Sequence, residues 1–357
     1  MPTFAADKLR EFSIDIFEGV GVPHTEAEIV SDHLIDASLS GLDSHGVLRI
    51  PQYVNAIRVE RKILPGAKLE IVRDTPSGLL INGNFGFGQV VAHEAMELAI
   101  RKARQTAICA ASVYNCFHTG RLGSYTEMAA NQGLIGMMMV NAGGCGQWVA
   151  PFGGIAKRIG TNPISIGVPT GEGDPVVVDI ATSTAPEGKI RALHNKGAKV
   201  PEGLIIDHEG QPATNTSDFY GPPAGALLPL GGALGYKGTG LGLIVDIMAG
   251  GISGIGCCRP DAPQEPDSDG VFMIAIDTQQ FTPLEEFYPR VTQLVEHVKS
   301  SPPAPGFSEV LVPGEPESRQ KKHRTVHGIS VDETTWSQIQ EIADGLGVAS
   351  PNPLSNQ

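Results

Sequence analysis

The feature that most constrains the fold is a change of periodicity along the chain. Both ends carry helical spacing, while the middle alternates short β-type runs with helices. Leu9, Phe12, Ile16 and Val20 recur at helical spacing until Gly19 and Gly21 end the run. Thr25 with Glu28 reads as a capping box for a second helix carrying Ile29, Val30, Leu34 and Ile35, which Gly41 stops. A third helix continues through Tyr53 until Pro65-Gly66 breaks it. From about residue 68 strand-like runs take over at 69–73, 78–82, 108–113, 134–140, 165–168, 176–180 and 272–276, with helical segments at 90–105, 125–132 and 238–255. Helix returns at 284–298, where Phe287, Val291, Leu294, Val295 and Val298 share a face. Ser330 with Glu333 reads as a second capping box, before Trp336, Ile339 and Ile342. The stretches at 260–269 and 302–306 read as polar, Pro-rich loops, and no internal repeat is present.

This order predicts an α/β protein in which a helical domain built from both termini encloses a central α/β domain. The expected boundaries are 1–75 for the N-terminal helical part, 76–282 for the central domain and 283–357 for the returning helical part. A net charge of -13 gives no electrostatic footprint for nucleic acid, and makes any local cation, such as Arg49 or Lys237, notable. The five cysteines show no CxxC pair or zinc spacing, so reduced thiols, a cytoplasmic setting and no metal site are expected. The most apolar stretch, 238–256, holds Asp246 and seven glycines. It reads as a buried helix packed against other backbone, not as a membrane span.

The chemistry-bearing motif is Ser44-His45-Gly46, followed by Arg49. If a helix begins near Ser44, His45 and Arg49 stand four apart on one face. One side chain exchanges a proton near neutral pH, and the other is a fixed fork for a carboxylate. A 2-oxo or 2-hydroxy acid needs both, although the same pair also reads as a surface His and Arg flanking a helix start. Further on, Asn115-Cys-Phe-His118-Thr-Gly120-Arg121-Leu122-Gly123 runs from a strand into a helix, whose N-terminus and Arg121 would welcome phosphate. Gly160-Thr161-Asn162-Pro163 is a turn, and Asp179-Ile180-Ala181-Thr-Ser183 closes a strand where ligand crevices commonly open. Tyr236-Lys237-Gly238-Thr-Gly-Leu-Gly242 pairs a lysine with a Gly-rich helix start that suits a pyrophosphate. It does not open a β-α-β unit, so the Rossmann fingerprint is rejected, and no P-loop exists. The run Arg319-Gln-Lys-Lys-His-Arg324 reads as a solvated helix face or as a contact to a 2'-phosphate or pyrophosphate.

Taken in order, Ser44-His45-Gly46 with Arg49, His118-Thr-Gly-Arg-Leu-Gly123, Pro151-Phe-Gly-Gly154, Gly160-Thr-Asn-Pro163, Asp179-Ile-Ala-Thr-Ser183, Lys237-Gly238 and Pro313-Gly-Glu315 resemble the malate/L-lactate dehydrogenase family of non-Rossmann nicotinamide enzymes. The series covers nearly the whole chain and looks closest to the hydroxycarboxylate dehydrogenase branch. The resemblance implies hydride transfer between NAD or NADP and C2 of a small carboxylic acid, in a homodimer with the site in a cleft between domains. It implies His45 as acid/base with Ser44 as its partner, and His118 as a competitor for that role beside the nicotinamide. Arg49 and Thr161 would meet substrate. His118, Gly120, Arg121, Leu122, Asp179, Ile180, Ala181, Lys237, Gly238, Pro313, Gly314 and Glu315 would contact cofactor. The Gly-rich segment Ala142-Gly-Gly-Cys-Gly-Gln-Trp148 and the pair Pro186-Glu187 depart from the family pattern.

A cyclic imine or diketogulonate reductase of the same family is the alternative. A Ser-His hydrolase built on Ser44 and His45 is more distant: adjacent side chains rarely reach each other as nucleophile and base, and the chain has no G-x-S-x-G elbow.

Overall fold

The computed structural model describes residues 1–262 and 268–354; the loop expected at 260–269 lies partly outside them. The chain opens with β1 (Thr3–Phe4), α1 (Ala6–Gly19) and α2 (His24–Leu39). Pro23 precedes α2 and no side chain caps it, so the box read from Thr25 and Glu28 does not form. Proline already sets the backbone for a helix start, which moves the boundary two residues upstream. Buried Glu26 instead accepts the Gly66 N–H at 3.0 Å. Two 3-10 turns follow, Asp43–His45 and Val47–Arg49, separated by Gly46 in extended backbone, and only then α3 (Ile50–Arg58). His45 and Arg49 therefore sit on successive turns, not on one helix face.

The middle of the chain supplies β2 (Glu70–Thr75), β3 (Gly78–Gly86), α4 (Gly88–Thr106), β4 (Ile108–Cys116), α5 (Gly123–Ala130), β5 (Leu134–Asn141), β6 (Ile164–Val168) and β7 (Val176–Ile180). After them come α6 (Glu187–Asn195), β8 (Ile205–Ile206), β9 (Pro212–Ala213), α7 (Thr216–Tyr220) and β10 (Ala226–Leu227). These close a small antiparallel sheet over Ile190, Ile205, Phe219 and Leu227. Next are α8 (Tyr236–Asp246), which widens into a π-helical turn at Ile247–Gly251, and β11 (Asp269–Asp277).

Among the described residues the main sheet has seven strands in the order β2-β3-β4-β11-β5-β6-β7, and only β3 and β4 pair in parallel. β11 arrives late in the sequence and inserts between β4 and β5, antiparallel to both. The ends of β4, β5 and β7 and the starts of β6 and β11 consequently share one end of the sheet. Apolar residues of α4 (Ala92, Met96, Ala99, Ile100) cover one face, packed on Ile81, Val113 and Met273.

The last elements are α9 (Leu284–Lys299), α10 (Glu315–His327), β12 (Ile329–Ser330) and α11 (Glu333–Leu346). A second core joins Leu9, Phe12, Ile16, Leu34 and Tyr53 to Ile329, Trp336 and Ile339. Trp336 lies 4.2 Å, centroid to centroid, from Phe4, a pairing worth roughly 1 kcal/mol beyond its buried area. α11 is capped by Asp332, which accepts the Thr335 N–H at 2.9 Å. Ser330, expected as the cap, is in β12 and bonds Thr3 across to β1. α9 sits against the Gly133 turn and the Gly171 loop through Leu284 and Tyr288, and its Leu294 is exposed.

The buried-helix reading of 238–255 holds on one side only. There a side chain on Gly238 would meet the Leu230 carbonyl oxygen at 2.2 Å, and Asp246 is buried. On the other side Leu243, Ile244, Ile247 and Ile252 are each about half exposed. No helix among the described residues is long and apolar enough to cross a membrane.

Candidate active site

A cavity of about 380 Å³ opens between the common end of the sheet strands and the helical layer. Ser44, His45 and Arg49 enter it from the two 3-10 turns. His118 comes from the loop after β4, Thr161 and Asn162 from the turn before β6, and Asp179 and Ala181 from the end of β7. Segments more than 130 residues apart thus converge because β11 holds β4 and β5 side by side.

The His45 and His118 rings stack 5.5 Å apart at an interplanar angle of 19°. Each is oriented through Nδ1: that of His45 lies 2.9 Å from Ser44 Oγ, and that of His118 lies 2.8 Å from the Tyr53 hydroxyl. Ser44 and His45 do reach each other, contrary to the general rule for neighbours. Tyr53 in turn accepts a hydrogen bond from Gln89 Nε2 at 2.7 Å. Burial, reinforced by the Arg49 cation and by His33, depresses His45 to about 3. Burial, Arg49 and His45 drive His118 well below the usual histidine range. Both imidazoles are therefore neutral at pH 7.

Arg49 is held from behind. Its Nε donates to the Ser44 carbonyl oxygen at 2.6 Å and its Nη1 to Gln52 Oε1 at 2.6 Å. Its Nη2 lies 3.5 Å from where a side chain on Gly188 would begin, so the missing side chain keeps the approach to the guanidinium open.

Arg121 lines the same cavity but is committed elsewhere. Its guanidinium bonds Asp36 at 2.8 Å and also Glu127, while its N–H donates to His33 Nε2 at 2.8 Å. Gly120 permits this approach: it has φ +76°, and a Cβ there would stand 2.3 Å from His33 Nε2. The start of α5 is likewise taken, because Gly123 N–H donates to Asp179 Oδ2 at 2.7 Å. The phosphate reading of 115–123 is thus displaced by Asp179, which supplies the anion that the helix end prefers. Burial pushes Asp179 up to about 6. The basic run is committed too: Arg319 pairs with Glu309, Lys321 with Asp36, Lys322 with Asp174 and Arg324 with Asp43.

Of the residues nominated from sequence, Ser44, His45, Arg49, His118, Gly120, Arg121, Leu122, Thr161, Asp179 and Ala181 line the cavity. Ile180, Lys237, Gly238, Pro313, Gly314 and Glu315 do not. Ile180 is substantially exposed, as alternation along β7 requires, and Lys237 is exposed near the Tyr236 ring. Pro313 and Gly314 dock on β7, where the Pro313 carbonyl oxygen accepts the Val177 N–H at 3.2 Å, and Glu315 pairs with Lys299.

Sequence reasoning missed Tyr53, Gln89, Asn141 and Asp269 as site residues, while Pro186 and Glu187, noted as departing from the family pattern, do line the cavity. Tyr53 had a signal, being one helical turn beyond Arg49. Asp269 had none: it meets Thr119 across 150 residues of sequence, and burial pushes it up to about 7. Asp246 explains its own place in an apolar helix. Asn141 Nδ2 and Asn162 Nδ2 each donate to its Oδ1 at 3.2 Å, and Cys258 N–H donates to Oδ2 at 2.8 Å, so α8 pins the cavity floor. Among the described residues no group of three or more His, Cys, Asp or Glu is placed to hold a metal ion.

A sequence model of the family described as malate/L-lactate dehydrogenase matches residues 4–340. The chain belongs to the malate/L-lactate dehydrogenase family. Within that family it is 38% identical over 348 residues to malate dehydrogenase of Pyrococcus abyssi, covering 96% of this chain and 94% of that protein. It is 34% identical over 348 residues to hydroxycarboxylate dehydrogenase B of Escherichia coli (strain K12), covering 97% and 94%. The solved structure of malate dehydrogenase from Pyrococcus horikoshii OT3 superposes with a TM-score of 0.88 at 35% identity, over 98% of this chain and 97% of that one.

Proposed function

We propose that this chain is an NAD(P)-dependent 2-hydroxyacid dehydrogenase, interconverting a small 2-oxo acid and its 2-hydroxy acid. The observation that carries the reading is Arg49 beside two stacked imidazoles in one cavity. The polar groups at the strand ends fit the polar end of a nicotinamide cofactor: Asp179, Thr161 and Gly120 line the cavity beside His118. Lys237 and Gly238 at the start of α8 would hold its pyrophosphate. Pro313 to Glu315 would meet its far end, docked on the strand that ends in Asp179, Ile180 and Ala181. When bound, the cofactor gives or accepts the hydride. Among the described residues one strand pair of the main sheet is parallel, which supports a cofactor fold distinct from Rossmann. The commitment of every cation at 319–324 favours NAD over NADP.

The chain's own residues supply position and a proton. Arg49 grips the substrate carboxylate and fixes C2 near the histidines. Ser44 orients His45, which takes the hydroxyl proton when a 2-hydroxy acid is oxidised and returns it in reduction. Carboxylate binding at Arg49 neutralises one of the charges that depress His45, so substrate itself raises the affinity of the base for its proton. Gln89 donates to Tyr53, Tyr53 donates to His118 Nδ1, and the proton of neutral His118 then resides on Nε2, where it can bond the substrate oxygen.

The exposed face of Leu243, Ile244, Ile247 and Ile252 supports a homodimer, in which a second copy covers it. The five cysteines are free thiols, which fits a reducing cytoplasmic setting.

The test is loss of reduced-nicotinamide absorbance with NADH and NADPH against pyruvate, oxaloacetate, 2-oxoglutarate, phenylpyruvate, a diketogulonate and a cyclic imine acid. Turnover of a 2-oxo acid is expected. Turnover of the imine alone would move the chain to the reductase reading, and failure to bind either cofactor would sink both.

A further inference from the structure

The charges lining the cavity are unequal. Arg49 and Arg121 are the cations among the described lining residues; Asp179, Glu187 and Asp269 are the carboxylates. Arg121 is consumed by Asp36 and Glu127, and Glu187 by Arg191 and the Tyr220 hydroxyl. What faces a ligand is then one guanidinium and two carboxyl groups, Asp179 and Asp269. A substrate carboxylate satisfies the guanidinium, and a second anionic group finds no cation left among these residues.

Asp269 is the more informative of the two. It is 7% exposed, fixed by the pairing of β11 between β4 and β5, and its backbone is opposite Cys116. Its Oδ2 accepts both the Thr119 N–H at 3.0 Å and the Thr119 hydroxyl at 3.2 Å. Its Oδ1 receives no hydrogen bond from the described residues, yet the side chain lines the cavity. A nearly buried carboxylate with one oxygen locked and the other open is an acceptor waiting for a donor, because a buried acceptor left unpaired is costly.

We propose that Asp269 reads the far end of the substrate: the acid this chain takes carries a hydrogen-bond donor there, a hydroxyl or an amide, where malate carries its second carboxylate. Arg49 takes the carboxylate next to C2, and Asp269 Oδ1 accepts from the tail. A carboxylate or sulfonate tail meets like charge instead, which supplies discrimination by repulsion as well as by a missing bond. This rests on the dehydrogenase reading of the cavity.

Malate and 2,4-dihydroxybutyrate match in length and differ only at the tail, so they separate the two possibilities. Trp148 lines the cavity while Trp336 is in the terminal helical core, so Trp148 fluorescence of the full chain reports binding without requiring turnover. At about pH 8.5, where Asp269 is ionised, dihydroxybutyrate should bind at least about tenfold more tightly than malate. Asp269→Asn, checked for folding by circular dichroism, should bring the ratio to within about threefold, mainly by improving malate. Malate binding as tightly as dihydroxybutyrate, a ratio unchanged in the variant, or no saturable binding of either acid each overturns the assignment. Turnover of pyruvate by the same preparation would leave the dehydrogenase reading standing even then.

Discussion

The Tyr53 hydroxyl stands 2.8 Å from His118 Nδ1 and is itself the acceptor of a 2.7 Å hydrogen bond from buried Gln89. Burial pushes the phenol up to about 12, so it keeps its proton at every working pH and meets His118 as a neutral hydroxyl. Tyr53→Phe leaves Gln89 without a partner for its amide and frees His118 to change tautomer. The expected result is roughly a tenfold fall in kcat with little change in cofactor affinity, and a stability loss of about 1–3 kcal/mol by urea unfolding. An unchanged kcat would confine the pair to a structural role.

His45 and His118 are separable by kinetics. His45→Ala should lower kcat by roughly 10²–10⁴-fold, since it removes the proton carrier. His118→Ala should cost less in kcat, as it removes a hydrogen-bond donor whose job does not require protonation. The reverse order would transfer the acid/base role to His118.

Arg49 tests the clamp. Its Nε and Nη1 are engaged with Ser44 and Gln52, a geometry that a lysine cannot reproduce. Arg49→Lys should raise KM for the acid at least about tenfold while KM for the nicotinamide cofactor stays within about twofold. Equal effects on both would mean that Arg49 shapes the cavity instead of binding the carboxylate.

Stability should depend on pH through His33, a buried ring that accepts the Arg121 N–H and is depressed, mainly by burial, to about 4 from its ordinary 6.5. A depressed pKa means that the unfolded chain takes up the proton first. The contribution is complete above pH 6.5 and is lost as pH falls from 6.5 to 4. Its size is on the order of 3 kcal/mol. Asp179 and Asp269, both raised, act in the opposite sense in wild type and variant alike. The quantity to measure is therefore the difference: unfolding free energy from urea titrations, for wild type and His33→Gln, between pH 7 and 4. Wild type should lose roughly 3 kcal/mol more than the variant over that range; parallel curves would show that the folded protein carries His33 charged.

What the sequence determined by itself was local. Apolar spacing located α1, α2, α4, α11 and the sheet strands, because period and length are written in neighbouring residues. The cavity-lining cluster of Ser44, His45 and Arg49 was legible because its members lie within six positions of one another. Helix caps were less so: Pro23 and Asp332 took positions that Thr25 and Ser330 seemed equally fit to hold, since a cap is decided by where tertiary packing starts the helix. Tertiary structure alone decided which charges remain available. Arg121, Lys321 and the start of α5 looked like phosphate ligands in sequence, but Asp36, Glu127 and Asp179 reach them from distant elements. The same holds for Asp269, which faces the cavity only because β11 threads between β4 and β5. Periodicity is set by neighbours along the chain, whereas the neutralisation of one charge by another depends on distance in space, which no single stretch of sequence encodes.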